Sequence, residues 1–228
     1  SMLNTVIFSA VVIFFRVGLG LGIAYAIYST LIKYKSFFRA VYYMPVVTPM
    51  VAVAFVWKFM YNPQIGTINQ IFGLDVNWLM NPKTALLAIM IMTIWKDFGY
   101  AVVMYMAGLY SLPTDALEAA KVDGANAWQT FRYITLPLLK GVFRTNITMW
   151  SVTSVGFFVW SQLFSTVTAD TQTITPMVYL YMQIFGAGNS VTERNSGIGA
   201  AVGVMLSVCV VAVFWLCNHL LKDDDLEF

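Results

Sequence analysis

The sequence predicts an all-α membrane protein with five transmembrane helices, and three observations carry that prediction. Of 228 residues, 59% are hydrophobic and only 11% charged, with a mean hydropathy of +0.73; a soluble domain carries roughly a quarter charged residues. Several apolar runs exceed the roughly 18 residues needed to span a bilayer. A polar, helix-forming insert containing Glu118-Ala119-Ala120-Lys121-Val122-Asp123-Gly124 separates two of the longest runs.

The predicted spans cover about 3–28, 41–61, 84–111, 138–167 and 198–221. The first is too long for a cleavable signal peptide and has no basic leader. Basic residues set the orientation. Lys33, Lys35, Arg39, Lys121, Arg132, Lys140 and Lys222 fall after spans one and three or in the tail, whereas the other connections hold only Lys83 and Arg194. The first group is predicted to be cytoplasmic, which puts the N-terminus outside and the C-terminus inside.

Span one carries Arg16 near mid-depth, where an unpaired charge costs at least a few kcal/mol. Span two opens with Met44-Pro45-Val46-Val47-Thr48-Pro49. Its two prolines remove backbone donors and predict a kink near the cytoplasmic end. Residues 62–83 read as an external loop. Span three carries adjacent Lys96 and Asp97; Arg16 and Asp97 form a candidate interhelical pair, and Lys96 a candidate for the pathway or a partner subunit. The run 174–186 is apolar but too short to cross, and is placed at the outer surface or as a partial helix. Trp57, Tyr61, Trp78, Tyr179 and Tyr181 suit an interfacial aromatic belt. The chain reads as one membrane domain, 1–222, with a short charged tail, 223–228.

Within the insert, Pro113 ends span three. Thr114 or Asp115 can cap a new helix, and Asp115 and Glu118 have capping-box spacing. Gly124 permits a sharp turn. A second amphipathic helix, about 126–134, is predicted to carry Trp128, Phe131 and Ile134 toward the membrane. Pro137 suits the first turn of span four. The alanines let another backbone approach, and Glu118 offers a carboxylate to a basic partner. An isolated Glu-Ala-Ala would read as a self-contained connection; the full pattern on the basic side favours docking.

That pattern is Glu118-Ala119-Ala120, three residues, Gly124, nine residues, then Ile134-Thr135-Leu136-Pro137. It resembles the cytoplasmic loop of permease subunits in binding-protein-dependent type I ABC importers. Phe37-Phe38-Arg39 before Met44-Pro45 looks like that family's basic loop leading into a proline-bearing helix. Trp78-Leu79-Met80-Asn81-Pro82 and Ile94-Trp95-Lys96 followed by Gly99 are similar to its maltose-type carbohydrate branch. The sequence departs from that branch at residues 167–173, where the branch has a Gly-rich stretch, and at Gln162, where it has Asp.

The resemblance implies a coupling loop that docks a separate ATP-binding subunit through Glu118, Ala119, Ala120, Asp123, Gly124, Leu136 and Pro137. It also implies a second homologous permease subunit, an extracytoplasmic solute-binding protein, and the plasma membrane of a bacterium or archaeon. The family usually has one more helix ahead of the first span here, so the chain is expected to be a six-helix permease lacking its first helix; a five-helix subunit is the alternative.

Span four gathers Asn146, Trp150, Thr153, Ser154, Phe157 and Ser161 at helical spacing, with Gln162 beyond. Amides, hydroxyls and aromatic faces suit a neutral polyhydroxylated solute, but Ser, Thr and Asn also concentrate in ordinary helix packing. Both readings stand. The sequence has no Gly-x-x-x-x-Gly-Lys-Ser/Thr loop, so the chain is not expected to be an enzyme and its energy is expected from a partner. His219, the one histidine, reads as an interfacial residue, and Cys209 and Cys217 as small apolar residues. The pattern suggests no metal site and no cofactor, and a net charge of +2 does not argue for nucleic acid. Three rivals remain: an importer of a phosphorylated solute or amino acid, an ion-coupled secondary transporter using Asp97 and Lys96, and a structural subunit without a pathway.

Overall fold

Helix α1 (Met2–Tyr28) is apolar on every side, as befits a helix whose exposed faces meet lipid. Its buried residues Thr5, Phe8, Val12, Arg16, Gly20, Ala24 and Ile27 recur every three or four positions and form one seam. Phe14 and Phe15 lie on the open side. The computed structural model describes residues 2–29, 34–156, 163–164, 174–186 and 194–220. These are helices and their connections, with no strand among the described residues.

Two helices follow, α2 (Lys35–Val47) and α3 (Met50–Met60). Lys35 Nζ donates to the Tyr28 carbonyl at 2.8 Å, so the basic side of the chain caps the end of α1. The expected proline kink is a right-angle break: α2 and α3 meet at 94° across Thr48 and Pro49. Helix α2 also begins earlier than predicted, at Lys35.

The belt reading is corrected for Trp57 and Tyr61, whereas Tyr179 is exposed. Trp57 and Tyr61 are buried, the latter at 1% exposure, and the Tyr61 hydroxyl donates to the Ala88 carbonyl at 2.8 Å. Trp57 also meets Trp95 edge-on at 5.5 Å. Trp78 packs against the same cluster, and its Nε1 donates to Asn69 Oδ1 at 2.8 Å. Asn69 sits in the short helix α4 (Thr67–Phe72) and also donates to the Pro63 and Val76 carbonyls. One amide therefore organises the loop between α3 and α5.

Helix α5 (Pro82–Tyr110) starts with Pro82 in its first turn, and the Asn81 side chain accepts from the Lys83 N–H at 3.0 Å. That gives the Trp-Leu-Met-Asn-Pro element a physical role as loop anchor and helix cap. α5 runs alongside α1 in the same direction, with Arg16 over Tyr100 and Tyr28 against Tyr110. Two apolar clusters form on this pair. One joins Phe8 and Val12 to Val53, Trp57, Ala88 and Met92; the other joins Ala24 and Ile27 to Ala101, Tyr105 and Leu109.

Beyond α5 come α6 (Thr114–Val122), α7 (Ala127–Thr130), a π-helical turn (Phe131–Thr135), α8 (Leu136–Leu138) and α9 (Lys140–Val155). Helix α10 (Pro176–Phe185) is capped by Thr175, whose hydroxyl accepts from the Val178 N–H, and α11 (Ser196–Leu220) packs on α10 and α9. Arg144 on α9 donates twice to Asn218 Oδ1 on α11, at 3.1 and 2.9 Å. Asn4 donates to the Ile174 carbonyl, placing the short α10 near the N-terminal end of α1.

Among the described residues three helices, α1, α5 and α11, are long and apolar enough to cross a bilayer, and the bent α2–α3 pair makes a fourth if it is one span. The predicted fourth span begins as α9; most of its continuation to residue 167 lies outside the described residues.

Candidate coupling surface and transport pathway

The insert between α5 and α9 folds by local rules that the residues state. Helix α6 ends with Asp123 at φ −73° and Gly124 at φ +76°. Gly124 N–H donates to the Lys121 carbonyl at 3.1 Å and Ala125 N–H to the Ala120 carbonyl at 2.9 Å, the paired bonds of a Schellman stop. A Cβ on Gly124 would meet nothing in this chain within 4 Å, so the need for glycine is the left-handed backbone alone. The spacing from Glu118 to Gly124 is thus the second half of α6, which begins at Thr114, and its terminator.

The capping box differs from expectation. Helix α6 has Pro113 as N-cap and no side-chain cap; Thr114 reaches only Asp115 Oδ1, at 3.5 Å. The box lies at α7 instead, where Asn126 Oδ1 accepts from the Gln129 N–H at 2.9 Å and Gln129 Oε1 from the Asn126 N–H at 2.8 Å. Asn126→Ala is expected to loosen α7 by about 1 kcal/mol. Amide hydrogen exchange over 126–130 should speed up roughly fivefold, and an unchanged rate would contradict the box.

Of the predicted docking residues, Glu118, Ala119, Asp123 and Gly124 are exposed, whereas Ala120 is buried against the chain itself. Leu136 and Pro137 are half-buried. Val122 and Trp128 add exposed apolar surface beside them. Of Trp128, Phe131 and Ile134, expected on the membrane side, Phe131 meets Tyr25 of α1 at 4.5 Å, and the 68% exposed Trp128 packs on Phe131 at 5.8 Å. Pro137 has no N–H to offer the Tyr133 carbonyl, and the preceding turn widens to π geometry, with Leu136 N–H donating to the Phe131 carbonyl. The helical path continues through this turn toward α9.

The polar face of α9 is turned toward α1. Asn146, Trp150 and Ser154 are buried, and Ser154 shares a 2.8 Å hydrogen bond with Ser9. Thr153 stands on an open side, its hydroxyl donating to the Met149 and Trp150 carbonyls. Phe157, Ser161 and Gln162 lie outside the described residues, as does the departure at 167–173. Arg16 contacts aromatic faces, with Cζ 5.2 Å from the Tyr100 centroid and 5.0 Å from that of Trp150. The predicted partner Asp97 also acts on Arg16 through its charge, and the aromatic faces add a cation–π setting. Four buried polar atoms at this α1–α5–α9 junction have no hydrogen-bond partner: Arg16 Nε, Tyr105 OH, Asn146 Oδ1 and Trp150 Nε1. Lys96 is engaged elsewhere, its ammonium donating to two backbone carbonyls of α2.

Residues 17–223 match the model of the family described as binding-protein-dependent transport system inner membrane component. The chain belongs to this family. As a member it is a non-catalytic permease subunit of an ABC importer, a multi-pass protein of the plasma membrane. It is 30% identical over 188 residues to a probable ABC transporter permease of Pyrococcus horikoshii, covering 80% of this chain and 62% of that relative's length. It is 30% identical over 218 residues to the trehalose/maltose transport system permease of Thermococcus litoralis, covering 93% of this chain and 70% of the relative. Among solved structures it is similar to a chain of a bacterial alginate ABC transporter in complex with an alginate-pentasaccharide-bound periplasmic protein. There the TM-score is 0.81 at 25% identity, covering 97% of this chain and 77% of that one.

Proposed function

We propose that this chain is one of two homologous permease subunits of an ATP-driven sugar importer. In this reading α6 is the socket for a separate ATPase, and solute passes beside the polar face of α9. The observation that carries the reading is the exposed row Glu118, Ala119, Asp123 and Gly124 on a Schellman-terminated helix, in an insert that meets α1 through Phe131 and Tyr25 near the end that Lys35 closes.

The mechanism follows from how the loop is attached. Its two ends continue into α5 and α9, and Phe131 ties it to α1. Movement of an ATPase against α6 therefore pulls on the inner ends of all three helices. Only a contact that differs between states can shift the equilibrium, so α6 binds the ATPase in both states but in different orientations. The junction of α1, α5 and α9 is where parting helices would expose polar groups. Asn146 Oδ1 and Trp150 Nε1 are an acceptor and a donor without partners there, suited to hydroxyl groups. An extracytoplasmic solute-binding protein would deliver solute at the opposite end, and the second permease subunit would complete the pathway.

Carbohydrate is supported by the relatives' own substrates, trehalose/maltose in one and alginate in the other. A phosphorylated solute is less well served: Arg16 lies against two rings and Lys96 is bonded to two carbonyls, so the described residues offer no open cluster of cations. The test is a thermal-shift screen of sugars on the cognate binding protein, then uptake of the best sugar into proteoliposomes holding the whole assembly. ATP-dependent uptake that ignores a protonophore supports the reading. Uptake that needs only a proton gradient, without the ATPase, overturns it.

A further inference from the structure

The break between α2 and α3 strands backbone carbonyls in a membrane, where each needs a donor. Pro49 has no N–H, so the Pro45 carbonyl loses its usual helical partner. Thr48 supplies local substitutes: its N–H donates to the Pro45 carbonyl at 3.3 Å and its hydroxyl to the Met44 carbonyl at 2.9 Å. The remaining demand is met from another helix. Lys96 of α5, only 3% exposed, places Nζ 3.1 Å from the Pro45 oxygen and 3.0 Å from the Val46 oxygen. An ammonium here also faces the negative end of the α2 dipole.

Three residues along α5, Gly99 completes the grip. A Cβ at that position would overlap the Tyr42 carbonyl oxygen and lie 2.8 Å from its carbonyl carbon. The Phe98 ring meets Tyr42 at 5.7 Å. α5 therefore holds α2 on consecutive turns, by charge at the elbow and by backbone contact below it. The same helix runs unbroken to Tyr110, just ahead of α6.

We propose that Lys96 is a positioning residue of the transport cycle: it clamps the α2–α3 elbow to α5, so that displacement at the coupling loop carries the elbow with it. Resting on the coupling reading above, this gives Lys96 a task separate from solute contact and from proton transfer. It also explains why a lysine sits one turn before a glycine in the middle of an apolar span.

The test uses the complete transporter in proteoliposomes. A spin-label pair at Val41→Cys and Tyr110→Cys reports α2 against α5 with and without ATP. The expected wild-type distance is the same in both states. Lys96→Met is expected to hydrolyse ATP at a rate within about twofold of wild type while uptake per ATP falls about tenfold, with Lys96→Arg restoring most of it. A merely structural role would lower yield and thermal midpoint without moving that ratio. Should Lys96→Met fail to assemble, Gly99→Ala keeps every donor yet pushes the helices apart, and the same uncoupling is expected. A wild type without ATP-driven uptake defeats the coupling reading. ATP-driven wild-type uptake with an α2–α5 distance that changes between states, or with an unaltered uptake-to-hydrolysis ratio in the variants, defeats the clamp.

Discussion

Glu118→Lys is expected to stop uptake while leaving the subunit inserted and folded. Glu118 is exposed on α6, and its neighbours Ala119 and Asp123 share that exposure, so reversal of its charge disturbs little within the chain. At an interface, breaking a desolvated charge pair costs about 3 kcal/mol, roughly a hundredfold in affinity. The ATPase should then be lost when the assembly is purified. Gly124→Asp should act in the same direction by a separable route. Its backbone penalty in the left-handed region is about 1–2 kcal/mol, and the added Cβ meets nothing in this chain within 4 Å. A loss of uptake beyond that local cost must come from a partner seated over the turn. Normal uptake and normal ATPase retention in both variants would remove α6 from the coupling path.

The second large effect belongs to Trp150. It is buried beside Phe8, at 6.3 Å between ring centroids, and it covers one face of the Arg16 guanidinium. Trp150→Ala empties that volume and leaves a buried cation short of a ring. Cavity formation on this scale costs about 3 kcal/mol, a fall in thermal midpoint of roughly 10 °C for a chain of this size. Trp150→Phe keeps a ring over Arg16 but removes the indole N–H. It should stay near wild-type stability, and if the indole meets solute in the open pathway it should raise the half-saturating sugar concentration. A stable Trp150→Ala variant would contradict the packing described for the α1–α9 seam.

Much of this was legible because it depends on spacing alone. Gly124 marks a helix stop in any context, and the structure makes it a Schellman terminator. The capping box was not predicted where it forms: spacing points to Asp115 and Glu118, which do not close, while Asn126 and Gln129, with the same spacing, do. Of the stripe on α9, Asn146, Trp150 and Ser154 are buried and Thr153 is exposed; which of them turn inward is decided by tertiary packing. The aromatic residues show the limit most clearly. Two prolines four apart announce a break but say nothing of its 94° angle, and the burial of Trp57 and Tyr61 against Phe8 and Ala88 is set by tertiary packing. Arg16 is similar: a mid-span cation announces the need for a partner, and the structure gives it two aromatic faces as well as the charge of Asp97, the rings depending on helix rotation that the sequence does not print.

The most direct measurement of the docking claim is a cross-link from Ala119→Cys to a cysteine on the ATPase surface in the assembled transporter. Ala119 is exposed and small, so the substitution changes little else. The expected result is a covalent permease–ATPase product whose yield differs between nucleotide-free and ATP-bound states. Failure to cross-link, together with ready labelling of the same cysteine by a membrane-impermeant maleimide added outside intact cells, would contradict it.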